Sequence, residues 1–343
     1  MNQDARTGMW KKALRAGLLC VPAMVLVACG GGGGGTTGAA TAPAVAITTS
    51  NAQAVAAEAS EVSTNTDAAA AGSLVTGVQV DGTNGSDTML LVSAARKLLA
   101  RPAASGSLAT GAAVSQACTG GGSMTMDATV SGSGALAAGD SFQISANNCT
   151  ESDGVTTMVM NGSIAITIVS GTYDLASATY PKSVTMRIVT TNFSVSSGGE
   201  TEVFNGDLTI ALTETSATSA SVTLTAASLS NNIGSHTVTV TNYTLQVTES
   251  PVGVTTSITA TVQTNNSRLG SGFVSYTITT LTPITVSSTG VVTAGSIKVT
   301  GANSSLVLTV TGPDTYSLQV DTNGDGSFES TSTVTRSELQ ALI

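Results

Sequence analysis

The sequence predicts a mainly β fold: an antiparallel meander forming a strongly curved sheet, a barrel or a sandwich, with short N-terminal helices. Three observations carry this. From about Val114 apolar residues recur at every second position, as in Ile164/Ile166/Ile168, Leu208/Ile210/Leu212, Tyr243/Leu245/Val247, Ile258/Ala260/Val262 and Tyr316/Leu318/Val320. Such alternation gives each strand one buried and one wet face, as in antiparallel rather than parallel sheets. Turn signals separate the runs, among them Asn161-Gly162, Ser197-Gly198-Gly199, Asn205-Gly206, Asn231-Asn232, Pro251 and Gly270-Ser271-Gly272. Only 10% of residues are charged while Thr, Ser, Val, Ala and Gly dominate, which suits β-structure with a hydroxyl-rich outer face. Roughly a dozen strands over about 230 residues would curl, close or stack.

The N-terminus reads differently. Residues 1–15 carry Arg6, Lys11, Lys12 and Arg15 against a single Asp4, and residues 16–28 are almost wholly apolar. That apolar run covers about 20 Å as a helix, short of the ~30 Å hydrocarbon core, so it reads as a signal peptide, not a span. It ends in Leu26-Val27-Ala28-Cys29-Gly30, which resembles the lipobox of bacterial lipoproteins. The resemblance implies cleavage before Cys29 and a covalent diacylglycerol and N-acyl chain, such as palmitate, on that cysteine. Two or more acyl chains make attachment stable. Gly30 rather than Asp resembles the outer-membrane sorting pattern of Gram-negative cells. The expected address is therefore the outer membrane, lipid-anchored, facing the periplasm or the cell surface.

Residues 29–45 open with six glycines and read as a flexible Gly-rich tether. Residues 46–102 form a small helical region, in which Ser50-Asn51 caps a helix from Ala52 to Ser60. A short strand over Ser73 to Val80 follows. Ser86-Asp87 then caps a second helix with Met89, Leu90, Leu91, Ala94, Leu98 and Leu99 on its apolar face, and Pro102 ends it. The antiparallel β domain spans 114–343. Inside it Asn148 and Asn192 are 44 residues apart, as are Asn161-Gly162-Ser163-Ile164 and Asn205-Gly206-Asp207-Leu208, suggesting duplicated hairpins. Asn242-Tyr243 and Gly295-Ser296-Ile297 are fainter echoes.

The wider pattern is similar to uncharacterised lipoproteins of proteobacteria: lipobox, poly-Gly tether, Ile47-Thr48-Thr49-Ser50-Asn51-Ala52, and a terminal Asp-x-Asn-x-Asp-Gly loop. It implies no established activity. If Cys20 leaves with the signal and Cys29 takes the lipid, Cys118 and Cys149 remain as an even pair in an oxidising compartment, and a disulfide is expected. The net charge of −9 becomes more negative once the basic leader is lost, which excludes nucleic acid as a partner.

One constellation carries chemistry. Asp321-Thr322-Asn323-Gly324-Asp325-Gly326-Ser327-Phe328-Glu329 matches the first nine positions of a calcium loop. Calcium needs roughly six to eight hard oxygen ligands. Asp321, Asn323 and Asp325 would offer side chains, Ser327 its carbonyl, and Glu329 a direct or water-mediated contact. Ser332 replaces the bidentate glutamate of an EF-hand, and no helix precedes the loop. A structural Ca2+ is expected, with Glu338 on a helix over Ser337–Leu342 completing the shell; the alternative is an Asx-rich turn without metal.

No enzyme is expected, because acid/base groups are sparse and His236 is the sole histidine. The expected function is a membrane-anchored cell-envelope lipoprotein acting as a binding or structural module toward a protein partner. The alternative is a periplasmic or surface carrier of a lipid or other apolar ligand in a curved β-sheet, lined by Met124, Met126, Met158, Met160, Ile164 and Ile166. An integral outer-membrane barrel lacks its aromatic girdles here.

Overall fold

The computed structural model describes residues 42–64, 113–131, 135–152, 157–173, 179–197, 199–289 and 291–342. The leader, Cys29, most of the tether, the strand expected over 73–80 and the helix expected after Asp87 lie outside the described residues. Helix α1 (Ala52–Thr64) precedes β1 (Val114–Ala117), β2 (Ser123–Thr129), a two-residue β3 (Leu136–Ala137), β4 (Ser141–Ser152) and β5 (Thr157–Tyr173). The long middle strands are β6 (Lys182–Ser197), β7 (Glu200–Ser216), β8 (Ser219–Ile233), β9 (His236–Ser250) and β10 (Gly253–Thr264). After them come β11 (Val274–Ser287), β12 (Val292–Gly301), β13 (Ser304–Gly312), β14 (Thr315–Asp321), β15 (Ser330–Thr335) and a short α2 (Arg336–Gln340).

All fifteen strands belong to one antiparallel meander in chain order, except that β3 sits beside β5 and leaves β2 to pair with β4. The meander is as expected; the barrel, the sandwich and the strong curvature are not. β1 pairs with β2 alone and β15 with β14 alone, so the sheet is open and not strongly curled. β5 and β7 have 17 residues, whereas β1 has 4 and β15 has 6, so the strands shorten toward both edges of the sheet. Short edge strands end a sheet and blunt further pairing.

Strands of 15–17 residues exceed the usual 3–10, and each must keep its apolar side chains on one face. Bulges do this. In β4 the buried positions are Phe142, Ile144 and Ala146, then Cys149; in β6 they are Val184, then Phe193 and Val195. The parity switches at Asn148 and Asn192, where the ladders shift register. Both asparagines have φ 47°, and Asn242, at the corresponding shift in β9, has φ 51°. Asn tolerates the left-handed region better than other side chains do. By contrast β5, β7 and β10 keep even-numbered positions buried along their length, as in Met160, Ile164, Ile166 and Ile168.

The 44-residue offset is thus a structural repeat. The Asn148 N–H donates to Asn161 Oδ1 at 2.7 Å, and the Asn192 N–H donates to Asn205 Oδ1 at 2.7 Å. Each Asn-Gly pair supplies the acceptor for the preceding bulge, and Gly162 (φ 94°) admits the next one. A Cβ on Gly162 would lie 2.1 Å from the Asn192 carbonyl oxygen.

Two apolar clusters lie on the buried face. One surrounds Cys118–Cys149 and contains Met124, Met126, Phe142, Ile144, Phe193 and Phe204. The larger one joins α1 to strands as far as β15, and Leu136 and Ile188 pack against both. α1 packs against β12, β13, β14 and α2, and it is buried from Ala54 to Ala59. Its alanines permit that close approach. A strap precedes it: Val45 N–H donates to Ser275 O at 2.8 Å, Ser275 N–H to Pro43 O at 2.8 Å, and Ala302 N–H to Val45 O at 2.7 Å. Asn51 turns back to accept from Thr48 N–H and to donate to Ala46 O, closing the turn into the helix. On the wet face Thr209, Thr225, Thr244, Thr259 and Thr279 stand in register across β7 to β11. Cross-strand threonine pairs each contribute roughly 0.2–1 kcal/mol.

Gly139 and Gly162 share φ 94°, but a Cβ at Gly139 meets nothing within 4 Å. Gly139→Ala should therefore cost only the backbone strain of about 1–3 kcal/mol, and Gly162→Ala distinctly more. Urea unfolding of both variants checks this; equal losses would show that the Gly162–Asn192 contact is soft.

Candidate metal site

β14 ends at Asp321 and β15 starts at Ser330, so the acidic loop joins two strands. It does not lead directly into a helix, and α2 begins only at Arg336. Gly324 (φ 77°) and Gly326 (φ 88°) wrap the backbone around Asp321, which is 4% exposed. Asp321 Oδ1 accepts from Gly324 N–H at 2.6 Å and Asn323 N–H at 3.3 Å, and Oδ2 accepts from Gly326 N–H at 3.0 Å. Asn323 Oδ1 accepts from Asp325 N–H at 2.8 Å, and Asp325 Oδ1 from Ser327 N–H at 2.7 Å. The Ser327 N–H, followed by the Asn323 amide, holds the Asp325 carboxyl below the usual carboxylate range. Glu329 Oε2 accepts from Thr322 N–H at 2.6 Å.

Asp321, Asp325 and Glu329 each bring one carboxylate oxygen within 4.8 Å of the other two. Asn323 Nδ2 lies among them, donating to Asp325 Oδ2 at 3.2 Å and Glu329 Oε1 at 3.0 Å. The amide supplies the positive edge that the carboxylates need. An all-oxygen donor set of this charge suits a hard divalent cation, and turning the Asn323 amide would exchange its nitrogen for an oxygen ligand. The expected Glu338 contact is absent because that side chain caps α2. Glu338 Oε2 accepts from Thr335 N–H at 2.7 Å and Thr335 Oγ1 at 2.8 Å, and the first of these bonds chiefly lowers its carboxyl below the usual range.

Cys118 and Cys149 form the expected disulfide, with Cα atoms 5.4 Å apart. Thr119-Gly120-Gly121-Gly122 folds back on β4: Gly120 N–H donates to Thr150 O at 2.8 Å, and Thr150 N–H to Gly121 O at 2.9 Å. A Cβ on Gly122 would fall 1.9 Å from the Asn148 carbonyl oxygen.

Sequence reasoning missed a buried acid. Glu58 of α1 has a side chain 4% exposed, with Oε1 3.6 Å from His236 Nε2. Asn266 Nδ2 donates to Glu58 Oε2 at 3.4 Å, and His236 Nε2 lies 3.0 Å from Thr264 Oγ1. The available signal was a single acid inside Ala-Ala-Glu-Ala, a stretch apolar all round. On the outer face an open groove of about 540 Å³ is lined by Arg187, Asp207, Thr209, Thr225 and Asn242. Arg187 Nε–H donates to Asp207 Oδ1 at 2.8 Å, and the pairing lowers the Asp207 carboxyl.

No known family model, characterised protein or solved structure matches the chain.

The disulfide closes a separation of 31 residues, which stabilises by about 3–4 kcal/mol in the chain-entropy model. The double variant Cys118→Ala/Cys149→Ala should lose that amount in urea unfolding. A loss below about 1 kcal/mol would mean that the strands constrain the unfolded chain little through this bridge.

Proposed function

We propose that the chain is an exported, lipid-anchored protein of the cell envelope whose β domain acts as a binding or structural module. The observation that carries this reading is Leu26-Val27-Ala28-Cys29 closing a short apolar run behind a basic N-terminus. The Cys118–Cys149 disulfide supports an oxidising compartment. Among the described residues no helix is long and apolar enough to cross a membrane, so attachment on this reading rests on the acylated Cys29. Of the residues that would line a lipid carrier, Met124, Met126, Met160, Ile164 and Ile166 are buried and Met158 is half-buried beside Phe142 and Phe193. The outer groove is open and lined mainly by polar residues, with Ala226, Ala227 and Tyr243 among them. Both points favour a module that meets a partner at its surface over a carrier of apolar ligand.

Expression in a Gram-negative host tests the anchor. The wild type should fractionate with the outer membrane and yield an N-terminal peptide bearing diacylglyceryl and acyl mass on Cys29, while Cys29→Ser should be soluble. Equal fractionation of the two, or an unmodified cysteine, would overturn the reading.

A structural calcium ion at Asp321, Asn323, Asp325, Ser327 and Glu329 belongs to the same proposal, supported by the convergence of three carboxylates. Calcium at millimolar levels should raise the thermal midpoint of the wild type and leave Asp325→Asn unchanged. No shift in the wild type would identify the loop as a metal-free Asx turn.

A further inference from the structure

We propose that Glu58 and His236 form a one-proton latch that holds α1 against the sheet and loosens as pH rises. The two residues are far apart in sequence and meet only because the strap at Pro43–Val45 sets α1 beside the start of β9 and the end of β10. Glu58 is buried, whereas the His236 side chain is 37% exposed, so the ring is the side of the pair that meets solvent. Glu58 Oε1 lies 3.6 Å from His236 Nε2, an ion-pair rather than a hydrogen-bond distance, and one proton on the pair cancels the buried negative charge. Removing that proton leaves a buried carboxylate facing a neutral ring. The Thr264 hydroxyl and Asn266, which donates to it at 3.4 Å, then support the carboxylate, and neither brings a countercharge to a buried charge.

Other elements do not supply a substitute cation. Arg268, Lys298 and Arg336 lie on the segments around α1, as do the acids Asp321 and Glu338, yet among the described residues His236 is the one charged group acting on Glu58. Burial pushes the Glu58 carboxyl above the ordinary glutamate range, outweighing the opposing effects of Thr264, His236 and Asn266. The folded chain therefore binds more protons than the unfolded one above that range. The stabilisation from the raised carboxyl is lost as pH rises through the raised value, where the pair gives up its last proton and the latch opens. The inference rests on this cluster alone and does not depend on the lipid anchor or the calcium loop.

Hydrogen exchange of residues 52–64 in the full chain, corrected for intrinsic rates, tests it between about pH 5.5 and about pH 8.5. Wild-type α1 should lose protection by roughly tenfold or more over that range. Glu58→Gln keeps the shape without the charge and should stay protected throughout. His236→Gln should already be weakly protected at the lower pH. A wild-type profile that is flat, or one that Glu58→Gln reproduces, overturns the proposal. If Glu58→Gln fails to fold, the thermal midpoints of His236→Gln and wild type decide: parallel pH profiles overturn the latch, and a wild-type excess confined to the lower pH supports it.

Discussion

A strand of some fifteen residues keeps its apolar side chains on one face only while nothing disturbs its two-residue period, and a wide twisted sheet disturbs it. The rest of this structure depends on how that conflict is settled. An extra residue at Asn148 and at Asn192, and a matching shift at Asn242, resets the period in mid-strand. Without the reset, Phe193 and Val195 would point to water while Val184 stayed inside. With it, both halves of each long strand feed one buried face, and the threonines of β7 to β11 collect on the other. The cost is a left-handed asparagine per bulge, and the side chain of an asparagine on the next strand satisfies the N–H at two of the three sites.

The bulges also position the fastenings at the first edge of the sheet. Cys149 follows Asn148 directly, so its sulfur comes from the reset half of β4 and meets Cys118 beyond the end of β1. Gly122 approaches the same bulge too closely for any side chain. Disulfide, glycine turn and bulge therefore form one lock where the edge strand is only four residues long. Toward the last strand the fastening is a helix instead. The strap and α1 cover β12 to β14, and the capping box of α2 closes the chain against them.

Local features were legible in the sequence, and long-range ones were not. The alternation at Ile164–Ile168 and Leu208–Leu212 marks strands because a wet-faced sheet requires it. But Asn161-Gly162, Asn205-Gly206 and Asn231-Asn232, expected as turns, lie inside β5, β7 and β8, where the first two asparagines face the bulge of the preceding strand and hydrogen-bond it instead of reversing the chain. β15 escaped notice because Ser-Thr-Ser-Thr-Val-Thr buries mainly Val334, so its alternation carries almost no hydrophobic contrast. Missing it turned a hairpin loop into an expected strand-to-helix joint and wrongly drew Glu338 toward Asp321. Closure was misjudged for a different reason. It depends on whether the first and last strands are brought side by side, and composition says nothing of that. His236 carries no signal of its role in the sequence because its partner, Glu58, lies across the chain on a helix.

The two acidic sites differ in what they can hold, and the difference lies in their donors. Three backbone N–H groups surround Asp321, and two further carboxylates face it within 4.8 Å. Fixed dipoles of that kind support negative charge, and several converging carboxylates concentrate it, the combination that a hard cation needs. Glu58 has the opposite surroundings: deep burial, one hydroxyl, one long amide bond and a single imidazole. There the charge is poorly supported, and the smallest neutralising species, a proton, is the one the site can take. A metal would need more oxygens than Glu58, Thr264 and Asn266 can bring together, whereas a proton needs only one acceptor and a route through the half-exposed ring. On the two proposals, burial and donor count divide the acids of one fold between two kinds of positive charge.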